Sequence, residues 1–451
     1  MVAFAAGPTE AAKRSTATPP VFGAPVHVDD DFPAAEPSLK VGPDDTYWIT
    51  APNFPGAVLG DPIHQGITGD LVWSSTDHGQ TWTLHTTPDP ILGGLDADVF
   101  VDPTTAQVFV SGLWIGCFSV AASLDTAGSA FNDQPLACGS QVGDDRQWIT
   151  TVAGTDLYGA FGSDPFCCPA DIYLQHATIL PGGALIPDPA PIKLSDTNTG
   201  PDAYQWPGYL AADQTTGDVY VTWNTQGDEK NGVNDKVVIA RIQPDGTVTK
   251  AEIPTTGDTF DSFTAVDLDT AGNLYVVWNE RHGGNRTDTM LSYSSDHGTR
   301  WAAPIVVNSA SVPTTVFPWV AAGDPGRVDV VYYGSTSPAP SPQETPADAT
   351  WDVYMAQSLN VLSTSTKKGG RRPSAPTFLE VKATPSPMHV GGICTSGTDC
   401  GSSDRDLLDY FMVDVDSRGY AAIAYAEDGD TTTAQIRFLG QIGGPGLYAR
   451  Q

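Results

Sequence analysis

One unit recurs along the chain: a short alternating strand, a turn rich in Asp and Gly, and a second strand ending in an aromatic. The copies are PSLKVGPDDTYWIT (37–50), DVFVDPTTAQVFVSGLW (98–114), WITTVAGTDLYGAF (148–161), YLAADQTTGDVYVTWN (209–224), FTAVDLDTAGNLYVVWN (263–279), WVAAGDPGRVDVVYYG (319–334) and FMVDVDSRGYAAIAYA (411–426), seven in all. The alternation within a copy, as in Val219, Val221 and Trp223, is the period-two pattern of strands. A repeat of this length constrains the fold more than any other feature, because one unit cannot bury its own faces and must stack on its neighbours.

Each pair leads into a third alternating segment: DLVWSS (70–75), FSVAAS (118–123), DIYLQHA (171–177), KVVIARI (236–242), TMLSYSS (289–295), WDVYMAQS (351–358) and AQIRFLG (434–440). A fourth follows in most copies, as in TWTLH (81–85), TVTKAEI (247–253), WAAPIVV (301–307) and TFLEVKA (377–383). The seventh copy has no fourth strand after it, but the N-terminal FGAPVHV (22–28) is similar to WAAPIVV and supplies one. These features predict an all-β, seven-bladed β-propeller of four-stranded antiparallel blades, with the ring closed by an N-terminal strand that completes the last blade. Two β-sandwiches would explain neither the repeated strand pairs nor the orphan N-terminal strand. The expected organisation is a flexible N-terminal segment over 1–20, one propeller domain over 21–445 and a tail over 446–451. The 46 glycines and 37 prolines in 451 residues match the turn requirement of so many short strands.

The net charge of −31 opposes phosphate backbones and excludes a nucleic-acid partner, and no apolar run is long enough for a membrane span. The six cysteines lack the paired spacings of a zinc site and suit an oxidising compartment. Cys394 with Cys400 and Cys117 with Cys138 are the expected bridges, and the state of Cys167 and Cys168 is left open. MVAFAAG resembles the end of a signal peptide, so a secreted, extracellular protein is expected.

SSTDHGQTW (74–82) and SSDHGTRW (294–301) fall at the same place in copies one and five, and both fit S-x-D-x-G-x-x-W. Asp77, Gly79 and Trp82 in the first correspond to Asp296, Gly298 and Trp301 in the second, while SLDTAGSAF (123–131) is a degenerate echo. The Asp accepts backbone N–H groups of a tight turn, the Gly takes positive φ and the Trp packs over it. On these motifs the chain resembles the sialidase-like (BNR, or Asp-box, repeat) propellers. In that superfamily the box is a structural turn away from the active face, so it speaks for the fold and not for the chemistry.

The resemblance implies a site on the face built from the loops that lead into the first strands and those that join second to third strands. Arg146, Arg281 and Arg405, three of the chain's 13 arginines, fall in such loops. Sialidases hold a substrate carboxylate with three arginines and use a Tyr–Glu nucleophile and an Asp acid. By that analogy Tyr410 is the candidate nucleophile, Glu36 its activating carboxylate and Asp145, or Asp61, the acid. Arg146, Arg281, Arg405, Trp206 and His282 are the candidate substrate ligands. Two departures weigh against a simple transfer: sialidases have six blades, and the only arginine before Arg146 is Arg14, outside the first blade. The competing reading is that Asp145–Arg146 and Asp404–Arg405 are ion pairs or turn caps between blades.

No cofactor is required by either reading, and structural calcium on Asp29, Asp30 and Asp31 or on Asp404, Asp406 and Asp409 is left open. The expected partner is a glycan or a cell-surface ligand, with the oligomeric state unknown. Function is expected to lie with exo-glycosidases that act on acidic glycans or with non-catalytic glycan- or protein-binding propellers. STSPAPSPQETPADAT (335–350) reads as a mobile Pro-rich loop, and STSTKKGGRRPSAP (363–376) as an exposed, protease-sensitive turn.

Overall fold

A computed structural model describes residues 18–53, 69–85, 95–114, 117–138, 144–163, 171–196, 205–225, 235–259, 263–367, 370–373, 375–395, 400, 405–429 and 434–449. Among these residues the regular structure is β-strand apart from one short 3-10 turn, Pro342–Glu344. Each sequence copy builds its own antiparallel run of strands in chain order. The first is Ser38–Val41, Tyr47–Ala51, Leu71–Ser75 and Thr83–Leu84, and the fourth is Gln205–Ala212, Val219–Thr225, Lys236–Ile242 and Val248–Ile253. The fifth and sixth share one sheet only through a single parallel bridge, Thr287 to Thr314. In the seventh, Met412–Val415, Ala421–Glu427 and Gln435–Gly443 are followed by Val21–Phe22 and Val26–His27, which pair antiparallel with Gln435–Gly443.

The second strands depart from simple alternation. Tyr47–Ala51, Leu274–Glu280 and Val328–Ser335 are buried on both faces, because a sheet stands against each side of them. Third strands such as Lys236–Ile242 keep the alternating pattern. Apolar layers fill the spaces between sheets. Val99, Val108 and Val110 meet Trp48 and Val72 of the first unit, and Tyr220 and Ile239 meet Val276 and Trp278 of the fifth. First strands lie side by side in chain order, and the seventh unit's lies beside the first unit's.

Aspartates at the end of the first strands tie neighbouring units together. Asp102 accepts Thr104 N at 2.9 Å and Thr105 N at 2.7 Å in its own turn, and Thr151 Oγ1 of the third unit at 2.5 Å. Asp269 accepts Ala271 N at 3.0 Å and Asn273 N at 3.1 Å, and then Gly326 N of the sixth unit at 3.1 Å. Asp416 of the seventh unit accepts Tyr420 N at 2.9 Å and the Tyr47 hydroxyl of the first at 3.2 Å.

The two S-x-D-x-G-x-x-W segments form the same hairpin. Asp77 accepts Gln80 N and Thr81 N at 3.0 and 2.9 Å, and Asp296 accepts Arg300 N at 2.8 Å. Ser75 and Ser294 hydroxyls accept Gly79 N and Gly298 N. Both glycines have positive φ, +80° and +79°, and a Cβ on Gly79 would lie 2.1 Å from the Phe438 ring. Asp125 in the degenerate copy binds Ala127 N and Ser129 N in the same way.

The Pro-rich stretch 335–350 corrects the expectation of mobility. Ala339, Ser341, Thr345 and Ala349 are buried, and Pro342 and Gln343 accept the backbone amides of Ile393 and Thr395. Cys394 and Cys400 are bridged. Cys138 is disulfide-bonded and stands directly opposite Cys117 in the register. Cys167 and Cys168 lie outside the described residues. The lysine- and arginine-rich segment forms a hairpin of its own, Thr364–Lys367 with Gly370–Pro373. No helix is long and apolar enough to cross a membrane.

Asp102→Ala removes bonds within one turn and across to the next unit, whereas Asp77→Ala affects an exposed hairpin. The expected losses of unfolding free energy are about 2 to 4 kcal/mol for the first and about 1 kcal/mol for the second. Urea denaturation of the two variants beside the parent protein checks the order.

Candidate functional site

The start of the first strand is distorted in the same way in several units. Register shifts interrupt the pairing between Leu95 and Ala97, Asp145 and Trp148, Pro207 and Leu210, and Val316 and Trp319. Glu36, Asp96, Arg146 and Phe317 occupy this position with φ of +57°, +32°, +54° and +54°. A left-handed backbone costs a non-glycine residue about 1 to 2 kcal/mol. Bulges of this kind re-aim a side chain; the second and third units use theirs for Asp96 and Arg146, and Glu36 takes the same left-handed backbone just before Ser38–Val41, whose pairing is regular.

Those charges meet. Arg146 donates through Nη1 to Glu36 and through Nη2 to Asp409 of the seventh unit, and its Nη1 stands 3.2 Å from Asp96. Arg405 holds the other side of Asp409 with two bonds of 2.5 Å. The guanidinium of Arg146 also lies 5.0 Å from the centre of the Phe263 ring. One planar fork thus joins the first, second, third and seventh units, with an aromatic face from the fifth beside it. Glu36 and Arg146 are almost fully covered, with side-chain exposures of 1% and 9%, while Asp409, Asp96 and Arg405 reach 13%, 19% and 26%.

Beside this network an aromatic plug fills the space where the first strands converge. Trp148 packs on Tyr410 at 4.7 Å, Tyr209 at 5.4 Å, Trp319 at 5.6 Å and Phe263 at 5.8 Å between ring centres. These five rings come from five consecutive units. Asp98 completes the layer, accepting Ser38 Oγ at 2.7 Å and Ile149 N at 2.9 Å. Burial raises its carboxyl to about 7 against the pull of those bonds and of Lys40.

The network separates its carboxyls electrostatically. Burial pushes Glu36 well above the ordinary range despite Arg146, and the charges of Asp96 and Asp409 add to the rise. Asp409 is held below its ordinary value: burial alone would raise it, but Arg146 and Arg405 outweigh that. Of the two, Glu36 is the weaker acid and Asp409 the stronger.

The structure brings together four of the expected site residues, Glu36, Arg146, Arg405 and Tyr410, and corrects the role of two. Tyr410 is buried and its hydroxyl donates to Ala97 O at 2.6 Å, with its pKa driven far up by burial and by Glu36, so it is a brace and not a presented nucleophile. Glu36 is spent on Arg146 and does not activate Tyr410. Arg281 ends the second strand of the fifth unit, paired with Asp258 and Thr287, one strand outside the first-strand ends. His282 lies there too, with Nε2 3.6 Å from Glu280 and 3.7 Å from Asp288. Trp206 packs against the main core.

The side chain of Asp145 and residues Asp61 and Asp404 lie outside what the structure describes. Asp29 accepts Asp31 N and Trp73 Nε1, both at 2.8 Å. Among the described residues no group of three His, Cys, Asp or Glu side chains is arranged to hold a metal. Asp96 and Asp409, which complete the network, were visible as loop acids but carried no motif.

No protein-family model matches the sequence, and comparison with curated proteins gives no match. Solved structures do match. A protein of unknown function from Dyadobacter fermentans is 11% identical with a TM-score of 0.51, over 94% of this chain and 99% of its own. A polysaccharide lyase of family PL25, an ulvan lyase, is 12% identical with a TM-score of 0.53, over 94% of this chain and 96% of its own. Trypanosoma rangeli sialidase is 13% identical with a TM-score of 0.43, over 96% of this chain and 59% of its own. At such identities the likeness is one of fold alone, an all-β array of antiparallel sheets of the propeller kind.

Two substitutions test these roles by stability. Tyr410→Phe loses one buried bond and should cost about 1 to 2 kcal/mol. Glu36→Gln retains an acceptor for Arg146 but cannot ionise. Because the folded pKa of Glu36 is raised, its contribution is full below the free glutamate value and is lost as pH rises through the folded value. Urea midpoints taken from about pH 4 to 9 should therefore fall less steeply for Glu36→Gln than for the parent.

Proposed function

We propose that this chain is a secreted, seven-bladed sialidase-like propeller that binds a glycan over the Arg146 network, with Arg405, Asp96 and Asp409 as the groups that touch it. The observation that carries this reading is the grading of exposure within one network: the buried Arg146 and Glu36 fix the position of three partly exposed charged side chains beside an aromatic plug. Rigid guanidinium and carboxylate groups match the hydroxyl and carboxylate patterns of sugars. Pairing of the N-terminal strands with Gln435–Gly443, and the contact between the first strands of the seventh and first units, support a closed ring of seven. The bonded Cys394, Cys400 and Cys138 support an oxidising, extracellular setting. The ulvan lyase of similar fold is named for a polysaccharide substrate. No cofactor enters the reading.

A hydrolytic version is favoured by one further observation. Asp96 and Asp409 are two partly exposed carboxyls on one guanidinium, and glycoside hydrolysis uses a pair of carboxyls at the sugar. In that version the protein is an exo-glycosidase on acidic glycans, with Arg405 facing the sugar carboxylate.

A glycan array carrying neutral, uronate, sialylated and sulfated oligosaccharides, followed by calorimetry on the best ligand, tests binding. Arg405→Ala should weaken affinity about tenfold or more, near 1.4 kcal/mol, and lower the thermal midpoint because Asp409 loses one of its two guanidiniums, so affinity is measured at a temperature where the variant is folded. Absence of any bound glycan, or unchanged affinity in Arg405→Ala, would reject the site. Aryl-glycoside hydrolysis assayed in parallel decides the enzyme version, which requires turnover that Asp96→Asn abolishes.

A further inference from the structure

One buried carboxyl takes no part in the network at the first-strand starts. Asp329 lies in Val328–Ser335 with none of its surface exposed, and neither side-chain oxygen has a hydrogen-bond partner. Its neighbour across the strand pair is Gln357, also buried. Gln357 commits its amide nitrogen elsewhere, donating from Nε2 to Pro445 O at 3.1 Å, and its Oε1 has no partner. Turning the amide over would give up the bond to Pro445. Two acceptors are thus left beside each other in a buried place, which is costly unless a proton lies between them.

Pro445 belongs to a segment that straddles two units. Its carbonyl also accepts Gln441 Nε2 of the seventh unit at 2.9 Å. Arg327 Nη1 donates to Gly446 O at 3.3 Å, and Asp324 N donates to Leu447 O at 3.1 Å from the sixth unit. Leu447 N donates to Gly419 O of the seventh unit at 2.8 Å, and Ala449 N to Asp324 Oδ2 at 2.6 Å.

We propose that Asp329 is protonated in the folded protein at mildly acidic pH, donates to Gln357 Oε1, and so latches the C-terminal segment 445–449 across the sixth and seventh units until rising pH releases it. Burial raises the Asp329 carboxyl from 3.8 to about 7, outweighing the Gln357 amide, the one other group acting on it, which pulls it down. The groups that meet the latch from neighbouring elements are the neutral amides of Gln357 and Gln441, while the charged Arg327 and Asp324 bond the segment's backbone. A raised folded pKa means that this contribution is full below the free aspartate value and is lost as pH rises through about 7.

Hydrogen exchange at the Leu447 and Ala449 amides, expressed as protection relative to the free-chain rate at each pH, reads the latch. Between about pH 5.5 and 8.5 protection in the parent protein should fall about tenfold, while Val330 and Val331 in the adjoining strand stay protected. Asp329→Asn supplies a donor to Gln357 Oε1 without titrating, so its protection should stay flat. A pH-independent parent, or an equal fall in Asp329→Asn, would overturn the proposal. Should Asp329→Asn not fold, infrared spectroscopy decides in a protein carrying Asp98→Asn and Glu36→Gln, which removes the other raised carboxyls named above: a protonated-carboxyl band that persists there and disappears as pH passes through about 7 supports the latch, and its absence refutes it.

Discussion

A chain with 53 acidic side chains and 22 Lys and Arg cannot give every carboxylate its own cation. Every carboxylate removed from water must then find N–H or O–H donors, keep a proton, or share one of the few guanidiniums. The structure uses all three solutions in different places. Asp102, Asp269 and Asp416 take backbone amides of their own turns and a donor from the next unit. Because each such turn supplies both ends of the connection, the repeat that forms a unit also joins it to its neighbour. Acidic composition is in this sense a structural material of the fold.

The opposite ends of the first strands are built differently. There the carboxyls are not saturated by turn amides but gathered on Arg146, which serves Glu36, Asp96 and Asp409 at once. One cation among three acids leaves an imbalance that Arg405 relieves only at Asp409. The consequence is that Glu36 is the weaker acid and Asp409 the stronger. Perturbed pairs of this kind concentrate where ligands bind, and ion-pair staples also produce them. The partial exposure of Arg405 and Asp96 is the feature on which the proposed binding role rests.

The fold was legible because its signals are local. Strand alternation, Asp-Gly turns and the two S-x-D-x-G-x-x-W hairpins each depend on residues a few positions apart, and FGAPVHV could be matched to WAAPIVV by similarity alone. The site was half legible. Glu36, Arg146 and Arg405 stood out as scarce charges in the right loops, but Asp409 gains its role from Arg146, 263 positions away. Tyr410 had the right residue type beside the right loop, yet its hydroxyl is directed to Ala97 O by packing against Trp148, which no local pattern reveals. Arg281 illustrates the converse: its loop was assigned to the correct kind of face, but a second-strand end lies farther out than a first-strand start. The Pro-rich 335–350 stretch misleads for a related reason, since composition reports an inability to form strands and not an inability to pack.

The aromatic plug explains why Arg146 rather than a lysine stands at the centre. With Trp148, Phe263 and Tyr410 beside it, the guanidinium has little water and must satisfy its surroundings with its own donors. A planar fork directs separate N–H groups to Glu36 and Asp409 while its face rests against Phe263. An ammonium offers one charge centre and no face, so it could not span carboxylates from the first and seventh units. In low-dielectric surroundings the loss of one partner leaves a buried charge unpaired, a penalty of about 3 to 5 kcal/mol. The same burial that makes the network costly to break holds Arg405, Asp96 and Asp409 in fixed relative positions, which is what a surface needs to distinguish one arrangement of ligand hydroxyls and charges from another.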